Sequence, residues 1–142
     1  LFKNMSSERI KLAQDVLKIE ADEITKASSK ISNEFSEAVE CILRCQGRVV
    51  LSGIGKSGHI AGKIASTFSS TGTPSFFMHP GEASHGDLGM ITEKDVVIFL
   101  SNSGESQELM ILLPLIKRIG AKILRPFVWW GDPQEPSLFW FC

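Results

Sequence analysis

The chain has 142 residues, 43% of them hydrophobic and 22% charged, with a formal net charge of −1. That length suffices for one domain with its own core, and the near-neutral balance leaves no electrostatic footprint for nucleic acid or an anionic membrane as partner. The richest apolar stretch, 109–119, is interrupted by Pro114, Lys117 and Arg118 and is far shorter than the ~20 residues that span a bilayer.

The opening residues, LFKNMSS, hold no apolar core or small-residue cleavage site and do not read as a signal peptide. Ile10, Ala13, Leu17, Ile24, Ala27, Ile31, Phe35, Val39 and Ile42 recur at helical spacing, so residues 7–44 read as helix, broken near Ser28-Ser29. Cys41 and Cys45 lie four apart on it and read as small buried side chains. Three cysteines in all, an odd count, fit a reducing, cytoplasmic compartment.

Gln46-Gly47 closes the helical segment, and 48–52 (RVVLS) reads as a buried strand. A glycine-rich turn at 53–58 leads into a helix faced by Ile60, Ala61, Ile64, Ala65 and Phe68, ending at Ser70-Thr71-Gly72. A second strand is expected over 75–79 and a polar, glycine-containing stretch over 80–89. The unbroken apolar run 96–100 (VVIFL) reads as a strand buried on both faces. A serine loop, 101–106, then opens a helix to Ile119 that Pro114 should kink, before a short strand at 122–124. Strands alternating with helices predict an α/β domain with a parallel sheet, in which ligands bind beyond the carboxyl ends of the strands. Residues 125–142 break the pattern, gathering all three tryptophans and three of the six prolines.

The turn at 53–58 matches G-x-G-x-x-G, yet the second strand ends in Met78-His79-Pro80, without the acid that holds a dinucleotide ribose. A P-loop would need a glycine where Val50 stands. What remains is a turn with free backbone amides at Gly55, a lysine (Lys56) and a hydroxyl (Ser57) at a helix start, which suits an anion. The SNSGES loop places Ser101, Asn102, Ser103 and Ser106 after the strand expected to be central. Three hydroxyls and an amide there exceed what one helix cap requires and suit a phosphate monoester. His79, Glu82, His85 and Asp87 fall within nine residues. Zinc binding with His79 as ligand is conceivable, and polar contact with a sugar is the favoured reading.

These loops together resemble the sugar isomerase (SIS) domain family, in its arabinose 5-phosphate isomerase branch. The resemblance spans roughly residues 10–124 and is strongest from Gly53 to Ile91 (GIGKSGHIAGKIASTFSSTGTPSFFMHPGEASHGDLGMI) and in SNSGES. It implies an α/β three-layer sandwich with a five-stranded parallel sheet and N-terminal helices packed on it, assembled as a tetramer with sites near subunit interfaces. It also implies interconversion of D-arabinose 5-phosphate and D-ribulose 5-phosphate in synthesis of the lipopolysaccharide sugar Kdo, with no cofactor and no required metal. Ser57, Ser101, Ser103 and Ser106 would cradle phosphate, with Gly72, Thr73, His79 and His85 near the sugar. Lys56, His85 and Glu108 would form the reactive set. The resemblance places 1–124 in the domain and leaves 125–142 as a divergent aromatic tail. A phosphosugar-sensing SIS domain of a regulator, or an isomerase of another sugar phosphate, are the competing readings.

Overall fold

The structure, a computed structural model, describes residues 2–102 and 106–124, with backbone alone for 2–5. The aromatic tail expected at 125–142 and Ser103 lie outside the described residues. The chain divides after Ser32 into two compact units.

The first unit is one helix, α1 (Phe2–Ser29). Ile10, Leu17 and Ile24 recur every seven residues along it, and each is more than half exposed. The Lys26 ammonium lies 2.6 Å from Glu23, whose hydrogen bond and negative charge raise its pKa. The helix ends because serine hydroxyls compete for its last carbonyls: Ser29 Oγ donates to the Lys26 carbonyl at 2.7 Å. The break therefore falls at 30–32, two residues later than the sequence suggests.

The second unit opens with α2 (Asn33–Leu43) and continues β1 (Val49–Gly53), α3 (Gly55–Ser70) and β2 (Ser75–Met78). After β2 come the single turn α4 (Pro80–Ala83) and a 3₁₀ turn (Asp87–Met90), then β3 (Val96–Leu100), α5 (Gln107–Ile119) and β4 (Lys122–Leu124). The four strands run in the order β2-β1-β3-β4, and every neighbouring pair is parallel. This is the α/β parallel-sheet architecture that the strand–helix rhythm predicts.

Alternation along the strands separates two layers. Val50, Met78, Val97, Phe99 and Ile123 pack with Leu109, Leu112, Leu113 and Ile116 of α5 and Ala83 of α4. Val49, Leu51, Val96, Ile98 and Leu124 pack with Ala38 and Cys41 of α2 and Ala61 and Ala65 of α3. Helices thus cover both faces, and the central strands are apolar without interruption because neither face meets water. Cys41 is buried, as its spacing suggests.

The stretch 80–89 carries two short elements that no periodicity announces. Pro80 stands at the start of α4, where its missing N–H costs nothing. Helix α5 runs on through Pro114. The proline leaves the Met110 carbonyl without its helical donor, but both residues are exposed, so water can satisfy that oxygen.

One carboxylate ties down the amino edge of the sheet. Asp95, 2% exposed, accepts from Arg48 N at 2.6 Å, Thr92 N at 2.7 Å and Thr92 Oγ1 at 3.1 Å. A Cβ on Gly47 would collide with Asp95 Oδ1 and stand 2.8 Å from the Lys94 carbonyl, so the α2–β1 turn can press this close only with glycine. Asp95→Ala would strand two backbone donors and should cost about 3 kcal/mol of unfolding free energy. Asp95→Asn should cost roughly half that, since its amide oxygen still accepts. Urea denaturation checks both values, and a loss below ~1 kcal/mol for Asp95→Ala would contradict this anchoring role.

Candidate functional site: the carboxyl edge of the sheet

From β1 the chain passes through α3 to β2 on one side of the sheet order. From β3 it passes through α5 to β4 on the other. Helices α3 and α5 also lie on opposite faces. The loops leaving the carboxyl ends of β1 and β3 therefore part, and a parallel sheet presents its ligand crevice at such a switch point.

On the β1 side the crevice is made of backbone. Ile54, preceding α3, has extended geometry and gives no side-chain cap to the first amides of this 16-residue helix. Gly55 adopts φ +57°. A Cβ on Gly58 would lie 2.6 Å from the Gly53 carbonyl oxygen, and one on Gly53 would lie 2.9 Å from the Leu100 carbonyl oxygen. The two glycines let helix, β1 and β3 meet closely. Lys56 is exposed and Ser57 half-buried in the first turn.

On the β3 side the strand hands over to hydroxyls. Ser101 Oγ and Ser106 Oγ stand 3.1 Å apart, both half-buried. Ser106 precedes α5 and accepts from Met110 N at 3.0 Å through its carbonyl. Asn102 and Glu108 are exposed, the latter in the first turn of α5. The helix dipoles of α3 and α5 both add positive potential at this edge.

β2 neighbours β1, so the residue following it joins the same edge. His79 Nδ1 accepts from Gly81 N at 3.1 Å and caps α4. Its ring meets Phe77 edge-on at 6.4 Å. With Nδ1 accepting, the neutral imidazole carries its proton on Nε2, which can donate. His85 is exposed in the turn after α4, its N–H bonded to the Glu82 carbonyl at 2.9 Å. Among the described residues, no group of three or more His, Cys, Asp or Glu is placed to hold a metal ion. No helix among them is long and apolar enough to cross a membrane.

Two sequence candidates fall elsewhere. Gly72 and Thr73 precede β2, whose first residue, Ser75, pairs with Val49 at the start of β1. They belong to the amino edge, separated from Ser57 by most of α3, about 20 Å from Ser57 to the helix end at Ser70 at 1.5 Å per residue. Short spacing in the motif hides this because the helix carries the chain across the sheet.

One residue at the carboxyl edge has no motif. Ser52, 0% exposed, is the only buried side chain among the described residues whose polar atom lacks a hydrogen-bond partner. Its sequence signal is slight, a serine closing the apolar run VVLS.

The SIS domain model matches residues 42–125, which hold β1 to β4 and both loops. The chain belongs to the SIS domain family. A relative in Yersinia pestis, arabinose 5-phosphate isomerase KdsD, is 58% identical over 105 residues, covering 74% of this chain and 32% of that protein. The protein of the same name in Pseudomonas aeruginosa is 51% identical over 124 residues, or 87% of this chain and 37% of its own length. The chain thus spans about a third of the length of these curated relatives. An Escherichia coli CFT073 protein solved in complex with arabinose 5-phosphate superposes with a TM-score of 0.66 at 48% identity, covering 71% of this chain and 54% of the other.

In this SIS domain the glycines at the crevice are separable by substitution. Gly58→Ala must push α3 off β1 and should cost about 2–3 kcal/mol. Gly55→Ala meets no atom within 4 Å and bears only the left-handed strain of about 1 kcal/mol. Chemical denaturation measures both, and equal costs would contradict the close-approach argument.

Proposed function

We propose that this chain is the SIS domain of an aldose–ketose isomerase that interconverts D-arabinose 5-phosphate and D-ribulose 5-phosphate. The observation that carries the reading is the Ser101–Ser106 hydroxyl pair at the end of β3, next to the strand whose own end opens α3 without a side-chain cap from Ile54, at one switch point. The similarity to proteins named arabinose 5-phosphate isomerase supports the choice of substrate.

The phosphate accepts hydrogen bonds from Ser57, Ser101, Ser103 and Ser106 and from amides of the Gly55–Ser57 turn, with Asn102 beside them. Anchored there, the opened sugar exposes C1 and C2. A base removes the C2 proton and the C1 carbonyl oxygen becomes the enediolate oxyanion; a proton passes from O2 to O1, and return of the base's proton to C1 as the carbonyl forms at C2 gives the ketose. The electron pair stays within the substrate, so no redox cofactor is required. Lys56 supplies positive charge to the oxyanion, while His85 and Glu108 are the groups able to move protons. His79 contacts the sugar through its Nε2–H.

Association into a tetramer belongs to the same proposal. The exposed row Phe35, Val39 and Leu43 on α2 offers an apolar self-association surface. Gly72 and Thr73 join a sugar site only across a contact with another copy. The reaction would supply Kdo synthesis in the cytoplasm, a reducing setting compatible with the buried Cys41.

Ser101→Ala combined with Ser103→Ala should remove measurable phosphosugar binding in calorimetry while leaving a cooperative melt, each lost bond to the charged phosphate being worth about 1.5–3 kcal/mol. Unchanged affinity would refute the phosphate assignment. Lys56→Ala should keep binding within roughly tenfold and reduce turnover far more, because the enediolate charge exists only along the reaction path. Equal losses in binding and turnover would recast Lys56 as a phosphate clamp.

A further inference from the structure

Strand β2 reads SFFM, and alternation sends its two phenylalanines to opposite faces of the sheet. Phe76 packs with the α5 layer and Phe77 with the α3 layer. Facing Phe77, α3 carries two glycines one turn apart. A Cβ on Gly58 would lie 3.5 Å from Phe77 Cζ, and one on Gly62 would lie 3.9 Å from Phe77 Cγ. The ring therefore lies along the glycine side of α3, its tip toward the helix start that carries Lys56 and Ser57.

His79 follows two residues later. Its imidazole meets the Phe77 ring at 6.4 Å between centroids and 74° between planes, an edge-to-face arrangement that aromatic pairs prefer. Gly81 holds the same imidazole by a different contact. Its N–H donates to Nδ1 at 3.1 Å, and a Cβ there would stand 3.1 Å from Nδ1 and 3.3 Å from Cε1, tighter than ordinary contact. Capping α4 needs only an acceptor, which a serine or aspartate supplies with a shorter side chain. An imidazole adds a donor at Nε2 that the cap does not use. Phe77 is half-buried and His79 exposed, so the ring that holds is fixed in the fold and the ring that is held meets solvent.

We propose that Phe77 is a positioning residue for the sugar. Seated on the helix whose first turn takes the phosphate, it fixes the plane of the His79 imidazole and with it the direction of Nε2–H. Packing of Phe77 on α3 then sets the spacing between the phosphate donors and the sugar donor, so that anchoring one end of the substrate registers the other. Phe77 acts through His79, and no covalent bond changes. The inference rests on the reading above in which His79 contacts the sugar.

The test compares the parent chain with Phe77→Leu, Gly81→Ala, His79→Ala and the double variant Phe77→Leu/His79→Ala. Calorimetry titrates D-arabinose 5-phosphate and, separately, inorganic phosphate, with a thermal melt for each variant. Imidazole nitrogen-15 spectra report the tautomer of His79. Phe77→Leu should weaken D-arabinose 5-phosphate about two- to tenfold, the scale of one aromatic pair, and leave inorganic phosphate unchanged. Its His79 signals should move from the Nε2–H tautomer toward an exchanging mixture. Gly81→Ala should displace the imidazole and give a similar loss while its melting temperature holds or rises, alanine being the better helix residue. In the His79→Ala background, Phe77→Leu should cost nothing further. If His79→Ala weakens the sugar phosphate and Phe77→Leu does not, this inference fails and the sugar contact stands. If His79→Ala binds D-arabinose 5-phosphate as the parent does, the sugar contact fails and the inference falls with it. An equal loss of inorganic phosphate binding in Phe77→Leu, or full additivity in the double variant, would make the phenylalanine a general packing residue and overturn its positioning role.

Discussion

The carboxyl edge depends on how closely α3 begins against β1. No side chain fits at Gly58, where a Cβ would press on the Gly53 carbonyl, and Gly53 in turn lies against Leu100 of β3. These contacts bring one helix start beside the two central strands. Because α5 leaves β3 toward the opposite face, the second loop opens away from the first. A bulkier residue at either glycine would widen the helix–strand gap and spread the donors that the crevice gathers.

The chemistry of that crevice follows from what occupies it. Backbone amides and serine hydroxyls hold an anion by many modest bonds, whereas an arginine fork would hold it by fewer and stronger ones. A site of neutral donors releases its ligand readily, which suits a reaction whose substrate and product carry the same phosphate. The charged and ionisable groups, Lys56, His85 and Glu108, are exposed, whereas Ser101 and Ser106 are half-buried. Under the proposed function, that division assigns the phosphate to the hydroxyls and amides and the sugar carbons to the exposed ionisable groups. Asp95 supports the arrangement from the other edge, holding the starts of β1 and β3 in register through Arg48 and Thr92.

Much of this is legible in the sequence. VVIFL and VVLS are buried on both faces, and only a central strand of a parallel sheet requires that. The glycine turn and SNSGES each sit at a strand–helix junction, so their common edge follows from the fold class. The short α4 and the 3₁₀ turn escape sequence reasoning because four residues have no period; their signal is His79-Pro80, a capping side chain followed by proline. The placement of Gly72 and Thr73 escapes it because proximity in the motif conceals the length of α3. Asp95 has the look of a turn residue, since its partners Arg48 and Thr92 come together only once β1 and β3 pair. Ser52 reads as part of a strand, and nothing short of its buried, unpartnered oxygen distinguishes it.

The central claim is that phosphate is held where β1 and β3 part. The most direct measurement is a two-dimensional amide spectrum of the chain titrated with D-arabinose 5-phosphate, with unphosphorylated D-arabinose as reference. The account predicts saturable shifts concentrated at residues 54–58 and 101–107, quiet signals at Gly47, Thr92 and Asp95, and a much weaker response to the unphosphorylated sugar. Largest shifts along the amino edge, or equal responses to the two sugars, would contradict it.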